Sequence, residues 1–77
     1  MDTNLKISLA AARVNAGMTQ KEAAQKLGVS NKTLISWEHG ESFPSVMQAD
    51  EIYELYNRPK DSIFFSKISP KMWERGQ

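Results

Sequence analysis

Asn31, Lys32, Ile35 and Ser36 have the types and spacing to read a hydrogen-bonding surface. At about 100° per residue in a helix they share one arc with His39, while Leu34 and Trp37 fall on the opposite side. On such an arc a carboxamide can pair in bidentate fashion with adenine, an ammonium can reach guanine O6 and N7, and an exposed Ile can cover a thymine methyl. The same spacing also describes solvated first-turn residues, so the arc alone leaves both readings open. His39 has no second ligand at metal-binding spacing, and no metal site or cofactor is expected.

The elements that must carry this arc are marked by caps and breakers. Thr19-Gln20-Lys21-Glu22 is a capping box, in which hydroxyl and carboxylate each satisfy an orphan backbone group of the first turn, and it predicts a helix over 20–27. Gly28 breaks that helix, Ser30 caps the next, and Gly40 ends it. Ala23 and Ala24 let the two helices cross closely, and Leu27, Val29, Leu34 and Trp37 can close the corner between them. A first helix opens near Asp2, Thr3 and Asn4, places Leu5, Leu9, Ala12 and Ala16 at helical spacing, and stops at Gly17. Ser45 with Gln48 repeats the box for a fourth helix reaching Tyr56, with Asn57 as its left-handed end. Pro59 suits the first position of a short fifth helix carrying Ile63 and Phe64, and 69–73 can start one last turn. β-Branched residues never alternate over a strand length, so the expected fold class is all-α, a compact five-helix domain.

Composition bounds the function. The 77 residues, 40% hydrophobic and 25% charged, suit one small globular domain. Without cysteine there is neither a disulfide staple nor a thiol nucleophile. No nucleophile–base pair, glycine-rich phosphate loop or carboxylate cluster is present, so an enzyme is not expected. No apolar run approaches the roughly 18 residues of a membrane span, and the amino terminus lacks a secretion pattern, so the expected location is cytoplasmic. The net charge of +1 hides an uneven distribution: Lys6, Arg13, Lys21, Lys26 and Lys32 precede Gly40, whereas 45–57 holds Asp50, Glu51 and Glu54 with no cation. The chain is expected to divide into a domain over 1–66 and a basic aromatic tail over 67–77.

A capped helix, small crossing residues, a glycine turn and a second capped helix make the plan of a helix-turn-helix. Residues 9–64 resemble the Xre/Cro-type helix-turn-helix family, the lambda-repressor-like DNA-binding domains. The resemblance rests on Arg13, Gly17, Thr19-Gln20, Leu27-Gly28-Val29-Ser30, Thr33, Trp37-Glu38, Gly40, Pro44-Ser45 and the Asp61–Ile63 ending. It implies that the helix-turn-helix comprises helices two and three, with the third in the major groove of a double-stranded DNA operator and a homodimer on a two-fold site. It then assigns base contacts to Asn31, Lys32, Ile35 and Ser36, and phosphate contacts to Gln20, Lys21, Thr33 and His39. The family also pairs an arginine on helix one with the glutamate closing helix three, here Arg13 and Glu38, as a partly buried salt bridge orienting the recognition helix. The implied function is a sequence-specific transcriptional regulator, a repressor of phage or bacterial type. The alternative is a protein-interaction module on the same fold, an antitoxin or anti-repressor acting through helix four or the C-terminal tail. The Ile63-Phe64-Phe65 run carries more apolar surface than one short helix buries, and either the tail or a second subunit is expected over it.

Overall fold

Ser8 starts the first helix. Its backbone is extended, its Oγ accepts from Ala11 N at 3.0 Å, and α1 runs over Leu9–Asn15. The computed structural model describes residues 6–65. The earlier start expected at Asp2–Asn4, Leu5 included, and the turn expected at 69–73 lie outside those residues. Within them, Ile7–Ser8 forms a short strand, β1, in place of a helical turn. Gly17, at φ +77°, reverses the chain after α1.

The next three helices lie where their caps place them. Thr19 and Glu22 form the reciprocal capping box of α2, Gln20–Leu27, which ends on left-handed Gly28. Ser30 Oγ accepts from Thr33 N at the start of α3, Asn31–His39, which ends on left-handed Gly40. Ser45 and Gln48 box the start of α4, Val46–Leu55, and Asn57 turns the chain with φ +56°. Each left-handed glycine meets a conformation that a Cβ disfavours by about 1–2 kcal/mol.

The fifth helix does not form. Asp61 adopts φ +67°, and Ser62 closes a turn by donating Oγ–H to Pro59 O at 2.6 Å and accepting from Arg58 Nε at 3.1 Å. The chain leaves this turn extended, so Ile63–Phe64 is a strand, β2, that pairs in parallel with β1, Ile7 opposite Ile63 and Ser8 opposite Phe64. Among the described residues the fold is therefore four helices plus a two-stranded ladder joining the two ends of the domain.

One core unites these elements. Leu9 and Ala12 of α1, Ala23 and Ala24 of α2, Leu34 and Trp37 of α3, and Ile52, Tyr53 and Tyr56 are buried together with Ile63. Each fully buried large aliphatic contributes about 1.5–3 kcal/mol. Met18, Leu27 and Val29 pack partly buried against this core. Ile63 is buried and Phe64 and Phe65 are half-buried, with Phe65 edge-on to Tyr53 at a ring separation of 5.9 Å. Among the described residues no helix is long and apolar enough to cross a membrane.

Candidate nucleic-acid interface

α3 has one face in the core and one in solvent. Leu34 and Trp37 point inward, while Asn31, Lys32 and His39 are exposed and Ile35, Ser36 and Thr33 are half-buried. The arc drawn from helical spacing is thus accessible as a surface. Thr33 is held by the cap, its Oγ1 accepting from Ser30 Oγ at 2.9 Å. Ser36 Oγ lies 2.8 Å from Ser42 Oγ, which ties the middle of α3 to the loop after it.

The back of α3 is held by charge. Arg13 Nε donates to Glu38 Oε2 at 2.7 Å, with 13% and 4% of the two side chains exposed. The same guanidinium donates through Nη1 to Met18 O at 2.8 Å, so one arginine fixes both α3 and the turn leading to α2. Gln20, half-buried in the first turn of α2, donates Nε2–H to Glu38 Oε1 at 3.0 Å. Glu38 therefore links α1, α2 and α3. Tyr56, at the end of α4, joins this polar centre: burial, then the Glu38 charge, push its phenol up to about 12, against an opposing effect of Arg13. Its hydroxyl has no hydrogen-bond partner among the described residues.

The first turn of α2 lies beside α3 through the Gln20–Glu38 bond, with Lys21 exposed next to it. A helix N-terminus carries unsatisfied N–H groups and the positive end of the dipole, which favour an anion such as phosphate. A Gln amide has two Nε2 hydrogens, and only one is spent on Glu38. The other can meet a phosphate while the first keeps the side chain in place. The assembled surface offers carboxamide, ammonium, hydroxyl and methyl groups on α3 beside an anion-favouring helix end. That inventory suits base edges flanked by backbone phosphates.

Helical spacing puts Asn31, Lys32, Ile35, Ser36 and His39 on one arc, and family resemblance pairs Arg13 with Glu38, which the structure joins. Spacing missed the Gln20–Glu38 bond, which joins residues 18 positions apart and leaves no local signal. It also missed Glu41 and Ser42, which line a groove on α3's outer side with Lys32, Ile35 and Ser36. The only signal for them was their position directly after the Gly40 cap. No group of acidic or histidine side chains that could hold a metal occurs among the described residues.

The helix-turn-helix family profile matches residues 9–63 of the chain. Two curated relatives from Archaeoglobus fulgidus, each described as an uncharacterized HTH-type transcriptional regulator, are similar to it. One is 36% identical over 52 residues, covering 68% of this chain and 74% of the relative. The other is 32% identical over 63 residues, covering 82% and 87%. No solved structure gives a significant match. With the capped α2–Gly28–α3 unit seated on its Arg13–Glu38 support, and the profile spanning all four helices, the chain belongs to the Xre/Cro-like helix-turn-helix family.

Proposed function

We propose that this chain is a sequence-specific DNA-binding transcriptional repressor of phage or bacterial type that binds its operator as a homodimer. In this reading α3 lies in the major groove, where Asn31, Lys32, Ile35 and Ser36 meet base edges. Gln20, Lys21, Thr33 and His39 meet the phosphates on either side and set the register of the helix. Arg13 and Glu38 touch no DNA; they hold α3 and the start of α2 at one angle. The observation that carries the reading is the division of α3 into a buried face of Leu34 and Trp37 and an accessible one of Asn31, Lys32 and His39.

Repression then requires no chemistry beyond occupancy: a protein seated on its operator excludes other proteins from that stretch of DNA. Selection from a random duplex pool at near-physiological salt tests the proposal. It predicts an enriched inverted repeat with half-sites about one helical turn apart. Binding without enrichment, lost as salt rises, is the opposite result, since phosphate contacts alone carry no sequence preference.

A second reading, a protein-interaction module acting through α4, rests on a separate observation. Phe43, Val46 and Met47, just before and within the first turn of α4, are 58%, 79% and 72% exposed. Charged substitutions at these three positions that abolish regulation while leaving operator affinity intact would favour that reading.

A further inference from the structure

The α3 surface contains a carboxylate for which base reading by the four α3 residues leaves no role. Glu41 is exposed and lines one groove together with Lys32, Ile35 and Ser36. It does not sit on a free loop. Its backbone N–H donates to Ser36 O at 2.9 Å, closing the end of α3, and the next residue is tied back by the Ser36–Ser42 hydroxyl pair at 2.8 Å. Among the described residues the Glu41 carboxylate takes part in no salt bridge.

A carboxylate on a surface that approaches phosphates costs affinity unless a donor meets it. In the major groove the donors on base edges are the N4 amino group of cytosine and the N6 amino group of adenine. Adenine places its N7 acceptor beside N6, where a carboxylate is repelled, whereas cytosine offers a donor edge that a carboxylate accepts from. Guanine and thymine offer a carboxylate no donor on their major-groove edges. Specificity built this way combines one attraction with penalties against the alternatives.

From this placement we infer that Glu41 is a specificity-determining residue that selects cytosine at one position in each half-site, an inference that rests on α3 reading bases. Lys32, which lines the same groove, favours guanine, so Lys32 and Glu41 together select a C and a G in each half-site.

Parallel selections with the wild-type chain and Glu41→Gln test the inference, with thermal unfolding of both as a check that the exposed substitution leaves the fold intact. The wild type is expected to enrich cytosine at one position per half-site, by about 5- to 100-fold over the other bases. Glu41→Gln is expected to lose that preference and shift it toward adenine, because a carboxamide pairs with adenine N6 and N7. An unchanged consensus with Glu41→Gln, or tighter binding to all sequences alike, overturns the assignment while leaving the wild-type operator in place. A wild type that enriches nothing overturns base reading by α3, and the role of Glu41 with it.

Discussion

Arg13 Nε on α1 stands 2.7 Å from Glu38 Oε2 near the end of α3, and this pair ties α3 to α1. Both groups are largely removed from water, so deleting either one leaves a buried charge. Glu38→Ala also strands Gln20 Nε2, which loses its acceptor. Each single substitution is expected to cost about 3–5 kcal/mol, comparable with the stability of a small domain, about 5 kcal/mol at the low end. The double variant Arg13→Met with Glu38→Met is expected to lose less than the sum of the singles, as measured by denaturant unfolding.

Tyr56 gives the fold a limit at high pH. Burial and the neighbouring Glu38 charge raise its pKa from 10.0 to about 12, so the folded state keeps the proton over a range where the unfolded chain releases it. Its contribution to stability is therefore complete below pH 10 and is lost as pH rises toward about 12. Tyr53, raised chiefly by burial, acts in the same direction. Unfolding midpoints between pH 9 and about 12 are expected to fall for the wild type and to fall less for Tyr56→Phe, which also removes a hydroxyl that has no hydrogen-bond partner among the described residues.

The three helices α2, α3 and α4 were legible because their ends are written locally. Thr19 with Glu22, Ser30, and Ser45 with Gln48 mark the starts, and Gly28, Gly40 and Asn57 mark the reversals. The two ends of the domain were not legible. β1 and β2 exist only because Ile7 and Ile63, far apart in the chain, pair with each other, and two-residue strands carry no periodicity of their own. Pro59 signalled a fifth helix, but Asp61 in the left-handed region and the Arg58–Ser62–Pro59 bonds stop it within one turn. The candidate site divides in the same way: helical spacing gives the outward face of α3, while the Gln20–Glu38 and Ser36–Ser42 bonds depend on tertiary approach.

Gly28 isolates the conformational cost of the turn between α2 and α3. Its φ is +73°, and a Cβ added there would meet nothing within 4 Å. Gly28→Ala is therefore expected to destabilise by about 1–2 kcal/mol through backbone strain alone. Gly28→Asn should cost less, since Asn tolerates the left-handed region. A much larger loss in thermal unfolding would reveal a contact that the open space does not provide.

Gln20 and Lys21 at the start of α2 are proposed to meet phosphate, and phosphate carries no sequence information. Lys21→Ala is expected to weaken binding to operator and random DNA alike and to reduce the slope of log K against log salt by about 1. Gln20→Ala should also weaken both, with little change in the salt slope because the amide is neutral. Affinity measurements across a salt series separate the two.

Reading of bases by α3 is tested most directly by the ratio of operator to random-duplex affinity for the wild type and Asn31→Ala at one salt concentration. Asn31 is exposed in the first turn, so its loss leaves the core untouched. The expected result is a fall in operator affinity of about 5- to 100-fold with random-duplex affinity unchanged. Equal losses on both DNAs would contradict base reading and reduce α3 to a phosphate-binding surface.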